Sequence, residues 1–376
     1  MIVTLCLLVL SITYTFIGYP VLLFIWLKKG VTKRFQCEYM HKDITVLLIA
    51  CNEEKVIAQK IDNIFSMDYP QDNIKLVIVD DASDDNTTTI IESNNDSRIT
   101  LLKNSVRSGK AFGINLGMEK IDSELVMLVD ARQYITLNAM KDLASWFHPE
   151  SRVAAVSGAL RLKPVDSENP SGMDAYQKYE KFIRTSESLI SGVPGVSGAL
   201  YMLRKALFKP LPSDTILDDV LIPMQAAKAG YWIGYDERAI AWDVPSDDLK
   251  REKRRKTRTL QGNYQLLFRN LSWCVPGGHP LWFQYLSHKV SRLSAPFFAI
   301  GSLIVSMMLY QYGNDWAGIF FIVLTLAIVL YPLSLALPIL NKNKLMRISS
   351  SFIALNWFNL LGFYHYLFAK KKQSWK

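Results

Sequence analysis

Short apolar runs alternate with mixed stretches between residues 45 and 157, and longer uncharged runs bracket that region. Thr45–Cys51 (TVLLIAC), Lys75–Asp80 (KLVIVD), Ile99–Leu102, Leu125–Asp130 (LVMLVD) and Val153–Ser157 have the length and β-branched content of strands. Between them, Asn52 can cap a helix whose first turn holds Glu53 and Glu54, Asp84–Ile91 opens a second helix, and Gly109–Lys120 reads as a third. Such alternation, with strands apolar at nearly every position, predicts a parallel sheet covered on both faces. Ligands in open α/β sheets bind beyond the carboxyl ends of the strands. Two of these strands end in aspartate, at Asp80–Asp81 and at Asp130, which marks that edge for a nucleotide, a metal or both. Beyond Val153 the pattern loosens. Gly172–Ile190 reads as a helix whose Tyr176, Tyr179 and Phe182 form a core stripe, Asp218–Ala229 as a helix opening on paired carboxylates, and Asp247–Phe268 as a long basic helix.

The uncharged runs point to a bilayer. Ile2–Leu27 carries no charge, and about 20 apolar residues span the hydrocarbon layer. A cleaved signal peptide would place its basic residues before the apolar core; here Lys28, Lys29, Lys33 and Arg34 follow it, so an uncleaved helix is expected. The positive-inside rule then puts the N-terminus outside and residue 28 onward in the cytoplasm. Leu293–Asn314 and Trp316–Leu340 read as two further spans, followed by Lys342, Lys344 and Arg347. Ile348–Ala369 is uncharged but contains Asn356, Asn359 and His365, and is expected to be a re-entrant or interfacial helix. The expected organisation is therefore a transmembrane helix (1–27), a cytoplasmic catalytic domain (28–270), an interfacial segment (271–292), two transmembrane helices (293–340), and a re-entrant or interfacial helix with a basic tail (341–376).

Composition narrows the classes. Half of the 376 residues are apolar and 20% are charged, which excludes a disordered chain. Four cysteines show no paired spacing, which argues against a disulfide scaffold or a zinc ribbon. The five histidines show no metal-binding spacing and read as bystanders. Basic clusters at 28–34, 250–258 (KREKRRKTR) and 370–376, each beside or facing an apolar segment, together exceed the net charge of +9, so the rest of the chain is net acidic. Basic residues so placed suit phosphate-bearing lipid. With no recognisable nucleic-acid module beside them, no nucleic-acid partner is expected.

In order and spacing, IACNEE (49–54), VDDASDD (79–85), RSGKAFGIN (107–115), LVDARQ (128–133), SGALY (197–201), LDDVLIP (217–223) and RRKTRTLQGNYQ (254–265) resemble the membrane-bound family 2 glycosyltransferases, the group of cellulose, chitin and hyaluronan synthases. The resemblance runs from about Val46 to Gln265. It implies a GT-A type catalytic domain, α/β with a mixed, mostly parallel sheet flanked by helices, joined here to transmembrane α-helices. It also implies a nucleotide-sugar donor, usually a UDP-sugar, and inversion at the anomeric carbon.

Residue by residue, Asp81 matches the carboxylate that reads the nucleotide base, while Asp80 is expected to hold the turn. Asn52 and Glu53 match the segment beside the ribose, and Arg107 with Lys110 the basic pair near base and diphosphate. A cation at a helix start opposes the macrodipole, so an anion beside Lys110 is expected. Asp130 matches the first position of the Asp-x-Asp element that binds Mg²⁺ or Mn²⁺. The second position is Arg132, which cannot ligate a cation; either Asp130 holds the metal with waters and phosphates, or Arg132 partly replaces its charge. Asp219 matches the catalytic base and Asp218 the residue before it, in a place where a pair of helix-capping carboxylates would look the same. Ser197 and Gly198 match the small-residue stretch near the acceptor. Arg255–Thr259 stands in the place of QxxRW, with Arg258 on the diphosphate and facing inward, Arg255 at the Gln position and Thr259 at the Trp position.

The expected activity is transfer from a UDP-sugar to a growing exopolysaccharide or capsular glycan, by an integral membrane enzyme with a cytoplasmic catalytic domain. Thr259 and the small number of spans leave two alternatives open: an oligomer or partner export protein completing the channel, or transfer of a single sugar to a lipid acceptor. SHK (287–289) and GNYQ (262–265) favour the polymer makers. A weakly catalytic nucleotide-sugar sensor is the remaining reading, supported by Arg132 alone.

Overall fold

A computed structural model of the chain describes residues 1–30, 42–162, 172–244, 249–336 and 344–368. The tail at 370–376 lies outside the described residues, as does the 28–34 cluster beyond Gly30. The helices are α1 (Ile2–Thr13), α2 (Tyr19–Lys28), α3 (Ile57–Phe65), α4 (Thr87–Glu92), α5 (Lys110–Glu119), α6 (Ala139–Ala144), α7 (Gly172–Ile190), α8 (Asp218–Lys228), α9 (Leu249–Arg269), α10 (Trp282–Gln284), α11 (Ser291–Gln311), α12 (Asp315–Ala336) and α13 (Lys344–Phe368). The strands are β1 (Ile44–Ala50), β2 (Ile74–Asp81), β3 (Ile99–Asn104), β4 (Leu125–Val129), β5 (Tyr134–Ile135), β6 (Val153–Leu162), β7 (Leu200–Arg204) and β8 (Trp232–Asp243).

The strands form one eight-stranded sheet in the order β3-β2-β1-β4-β7-β6-β8-β5. The half read from apolar runs, β3-β2-β1-β4, is parallel throughout. Beyond β4 the sheet is mixed, with β7 antiparallel to both neighbours, β6 parallel to β8, and β5 antiparallel to β8. Strand periodicity splits the core by face. Val46, Leu48 and Ala50 of β1 join Ile57, Ile61 and Ile64 of α3 on one side, while Leu47 and Ile49 join Ile114 and Met118 of α5 on the other. Each such side chain, fully buried, contributes about 1.5–3 kcal/mol. The α5–β1 contact is close because α5 turns glycines inward: a Cβ on Gly113 would lie 2.7 Å from Ile49, and one on Gly117 2.4 Å from Leu47.

Two features beyond Val153 escape a pattern-based reading. The run Asp236-Glu237-Arg238 interrupts β8 in sequence, yet Asp236 is buried and accepts hydrogen bonds from Trp146 and Arg238, so the strand carries its charge in satisfied form. The strand β5 is only two residues long and is fixed by Asn63, which both donates to and accepts from the Ile135 backbone at 2.8 Å.

The apolar helices differ in extent from the sequence reading. One continuous helix runs Ile2–Lys28 through a π turn at Tyr14–Gly18, and a second runs Trp282–Gln311 through a π turn at Tyr285–Val290. Both are long and apolar enough to cross a membrane. The second begins at Trp282, not Leu293, so the segment drawn at 271–292 divides into a short turn at Leu271–Cys274 and the start of this helix. The helix α13 packs along α9, with Tyr366 stacked on Phe268 and Phe363 tilted against Tyr264. Asn359, an interruption of the apolar pattern, is a buried link: it accepts from the Tyr264 hydroxyl at 2.7 Å and donates to the Arg292 carbonyl at 2.9 Å. Of the aromatic stripe on α7, Tyr179 and Phe182 do pack in a core, against Tyr19 and Leu23, whereas Tyr176 is exposed.

Candidate active site

The carboxyl ends of β1 and β2 are locked together by their own loops. Asn52 and Ala82 both have positive φ, 58° and 54°. Asparagine tolerates that region, whereas alanine there costs roughly 1–2 kcal/mol, a strain placed beside a binding edge. The Asn52 side chain accepts from the Asp84 N–H at 2.8 Å, and its own N–H donates to Ser83 Oγ at 3.0 Å. Asp80 accepts from Ser83 and Thr88, the turn-holding role expected of it. Asp81 is fully buried, and its carboxylate receives Asn104 Nδ2 at 2.9 Å, the Ser108 N–H at 2.8 Å and the Gly109 N–H at 2.7 Å. These bonds fix the start of α5 and engage both Asp81 oxygens. Arg107 donates to the Ala82 carbonyl and to Asp84 Oδ2 at 2.7 Å, so the cation closes over the β2 loop.

Lys110, the first residue of α5, is paired with two carboxylates of the chain itself. Its Nζ donates to Asp130 Oδ1 at 2.9 Å and makes an ion pair with Asp218 Oδ2 at 3.5 Å. Burial alone would lower its pKa, but Asp130 and Asp218 outweigh burial and hold it above the ordinary ammonium range. Arg132 turns away from Asp130: its Nε and Nη2 donate to the Glu53 carboxylate at 2.8–2.9 Å. Glu53, expected beside the ribose, is thus engaged by the arginine that replaced the second carboxylate. For a divalent cation the chain supplies Asp130, whose Oδ2 has no hydrogen bond among the described residues. No group of three His, Cys, Asp or Glu side chains suited to a metal occurs among the described residues. Asp130 therefore fits a one-carboxylate site of the kind Mg²⁺ completes with phosphate oxygens and water.

Asp219 lies in the first turn of α8 beside the loop 192–198. Its backbone carbonyl accepts from the Val196 N–H at 2.8 Å, and its Oδ2 accepts from the Gly198 N–H at 3.2 Å. A Cβ on Gly198 would come within 3.3 Å of that oxygen, so the small residue permits the approach. The Ser197 N–H donates to Ser157 Oγ at 2.9 Å, tying the loop to β6. Burial, and then the neighbouring Asp218, push the Asp219 pKa up to about 6, against the pull of the Lys110 and Lys289 ammonium groups. Three buried polar atoms here have no hydrogen-bond partner among the described residues: Asp218 Oδ2, Asp219 Oδ1 and the Tyr201 hydroxyl. Asp218, Asp219 and Tyr201 also share one field, since after burial it is the two carboxylates that raise the Tyr201 pKa. Unsatisfied buried groups are rare in native proteins, and three together mark a place for a ligand.

Along α9 the sequence reading holds only in part. Arg255 pairs with Glu252 and, at 3.7 Å, with Asp243. Arg258 does not face inward: it is exposed and has no hydrogen bond or ion pair among the described residues. Thr259 is exposed and donates to the Arg255 carbonyl. The GNYQ segment acts on the frame. Gln265 donates to the Asp214 carbonyl at 2.8 Å and accepts from the Ile216 N–H at 3.1 Å, which holds the chain just before Asp218.

The structure also brings in residues that sequence reasoning left aside. Lys60 is buried, donates to the Gln133 carbonyl, and is pushed down to about 8 by burial, with Asp130 opposing the shift. His288 is no bystander: its Nδ1 meets Glu187 at 2.9 Å and its Nε2 meets Glu180 at 3.3 Å. Tyr19 donates to the same Glu187 at 2.7 Å, and Arg292 pairs with Glu180. The SHK tripeptide was the one available signal for this cluster, and nothing local in it told a membrane-facing histidine from one facing the domain.

Residues 45–211 match the family model described as Glycosyl transferase family 2. Poly-beta-1,6-N-acetyl-D-glucosamine synthases of Staphylococcus epidermidis and Staphylococcus aureus (strain COL) are each 25% identical, over 233 and 235 residues, an alignment covering 60% of this chain and 56% of theirs. The chain thus spans a little over half the length of these curated relatives. A solved structure, the mannosyltransferase PcManGT from Pyrobaculum calidifontis in complex with GDP-Man and Mn2+, superposes with a TM-score of 0.75 at 20% identity, over 97% of this chain and 99% of its own. That superposition gives the fold, the relatives and the family model give the lineage, and residues 45–211 are a glycosyl transferase family 2 domain within a GT-A-like sheet.

Proposed function

We propose that this chain is an inverting glycosyltransferase that moves a sugar from a UDP-sugar to a growing glycan at a membrane, with Asp219 as general base. The observation that carries this is the state of Asp219. One carboxylate oxygen is held by the Gly198 N–H, the other is buried without a hydrogen bond among the described residues, and the pKa is pushed up to about 6. A carboxylate so placed accepts the proton of an attacking acceptor hydroxyl while the nucleotide leaves from the opposite face of the sugar. Lys110, set between Asp130 and Asp218, places positive charge where the donor diphosphate departs. A divalent cation bound through Asp130 and the donor phosphates would add neutralising charge there. Exposed Arg258 has a planar fork free to take diphosphate oxygens. Asn52, Glu53, Asp81 and Arg107 shape the nucleotide edge, with Asp81 acting through the backbone it holds.

The polysaccharide-synthase name of the curated relatives supports a glycan product, and the GDP-Man in the structural neighbour makes that donor a necessary comparison. The two long apolar helices support an integral membrane protein, with the domain on the cytoplasmic side by the charge asymmetry at Lys28 and Lys29. The test is radiolabel transfer in membranes from UDP-glucose, UDP-N-acetylglucosamine and GDP-mannose, followed by product sizing. Transfer from a UDP-sugar into material that grows with time supports the reading. Nucleotide binding without transfer from any donor overturns it in favour of a sensor.

A further inference from the structure

The loop that delivers Asp218 and Asp219 to the site is gripped from outside it. Residues 211–217 lead directly into α8. One end is fixed from α5, where Asn115 Nδ2 donates to the Leu211 carbonyl at 2.9 Å and Asn115 Oδ1 accepts from the Leu211 N–H at 2.8 Å. The other end is fixed from α9. Gln265 is buried, and its amide spans the turn before α8: Nε2 donates to the Asp214 carbonyl at 2.8 Å, and Oε1 accepts from the Ile216 N–H at 3.1 Å. One turn further along α9, Arg269 takes the Asp214 carboxylate through both Nη atoms, at 3.0 and 2.5 Å. One turn earlier, Gly262 lies so close that a Cβ there would stand 2.6 Å from Leu217 Cγ and 2.8 Å from Ile216 Cγ2. Positions 262, 265 and 269 share one face of a helix, and all three meet residues 214–217.

Another face of α9 is backed by the apolar helices. Leu260, Tyr264 and Phe268 recur at a spacing of four and meet Gly362, Phe363 and Tyr366 of α13. A Cβ on Gly362 would lie 2.6 Å from Leu260, so the two helices touch closely. The Tyr264 hydroxyl reaches Asn359 Oδ1 at 2.7 Å and the Leu293 carbonyl of α11 at 3.0 Å. α9 is therefore braced on one side and grips the loop with another. What it grips needs accuracy. Asp219 must bring its Oδ2 to the Gly198 N–H and its carbonyl to the Val196 N–H at once. A reacting group displaced by about 1 Å can lose about a hundredfold in rate.

We propose that Gln265, together with Gly262 on the same face of α9, is a positioning residue for the transfer step: it sets where Asp219 meets the acceptor hydroxyl and takes no part in holding the donor. This rests on the transferase reading and adds the device that aims its base. Gln265→Met removes both hydrogen bonds at similar side-chain length. Transfer by the full chain in membranes then loses about tenfold or more in kcat, with donor KM and UDP affinity within about threefold of native. The acid limb of kcat/KM, set by burial and Asp218 with Lys110, Lys289 and Asp130 also acting on Asp219, moves toward the ordinary carboxylate range as the loosened turn admits water. Hydrogen exchange of the full chain in phosphatidylcholine nanodiscs quickens about tenfold across 214–221 and stays within about threefold in β1 and β4. Gly262→Ala is the second variant: it favours the helix yet drives a methyl group against Leu217, so it lowers kcat in the same selective way without weakening α9. A kcat within about twofold of native in either variant, equal losses of kcat and UDP affinity, or unchanged exchange across 214–221 in a chain that still melts cooperatively overturns the proposal. If the native chain transfers no sugar from UDP-glucose, UDP-N-acetylglucosamine or GDP-mannose, the transferase reading falls, and the grip of α9 on the loop stands or falls on the exchange measurement.

Discussion

At the carboxyl ends of β1 and β2, the edge proposed for the nucleotide, polar groups bond to their near neighbours. Asp81 takes Asn104, Ser108 and Gly109, Asp80 takes Ser83 and Thr88, and Asn52 takes Asp84. Around Asp219, the proposed acceptor side, that carboxylate has one backbone donor, while Asp218 and Tyr201 keep buried polar atoms without a hydrogen bond among the described residues. The first region is finished before any ligand arrives. The second is left incomplete by the chain that builds it. Preorganisation suits a donor that is bound the same way in every cycle, and unsatisfied groups suit a reaction whose charges appear only when both substrates are present.

The largest expected effect tests the incomplete side. Asp219→Asn keeps the shape of the carboxylate and removes its basicity, and should cut transfer by about a thousandfold with UDP affinity within about threefold of native. Radiolabel transfer and calorimetric UDP binding measure the two arms, and equal losses in both would erase the division between the regions. Next comes Asp81, on the finished side. Asp81→Ala strands the Ser108 and Gly109 N–H groups and should lower stability by about 2–4 kcal/mol. A urea melt reads this loss, and a full-stability variant with lost UDP binding would instead make Asp81 a direct base reader. Chelation probes the boundary between the two: EDTA should lower transfer about tenfold or more, with recovery on added Mn²⁺. Unchanged turnover would leave Lys110, rather than a metal ion, as the cation paired with Asp130.

The smallest effect is one of pH. Asp219 must be ionised to accept a proton, so kcat/KM should rise with pH through a midpoint near the value of about 6 that burial and Asp218 impose. Protonation below that midpoint removes the base. Asp218→Asn takes away a charge that raises Asp219, and should move the midpoint toward the ordinary carboxylate range. A midpoint that stays put would mean the limb belongs to another group.

How much of this was legible in the sequence follows the same divide. Strands β1 to β4 are continuous apolar runs, and their terminal aspartates announce the edge on which they sit. Lys110 was read as the contact of a ligand anion because a helix start disfavours a lone cation; in the fold the anions beside it are the chain's own Asp130 and Asp218. The acceptor side is assembled from segments far apart in sequence: Gly198 against Asp219, and Arg184 against the loop at 195. No local pattern records such meetings. β8 was missed because its three consecutive charges look like a turn, although the fold satisfies Asp236 inside the core. Arg258 was expected inward on motif position alone, and the rotation of α9 leaves it exposed.

The hydrogen bond from Tyr19 to Glu187 sets a limit on how this protein can be handled at the bench. Glu187 is completely buried, and its oxygens are shared between a tyrosine of the N-terminal helix and a histidine of the helix that begins at Trp282. Trimming residues 1–28 would remove one of those partners together with Leu23, and would uncover Ile183, Tyr179 and Phe182, which pack against them. The apolar N-terminal helix is thus a structural part of the α/β body, and preparations meant for crystallography or assay should retain it.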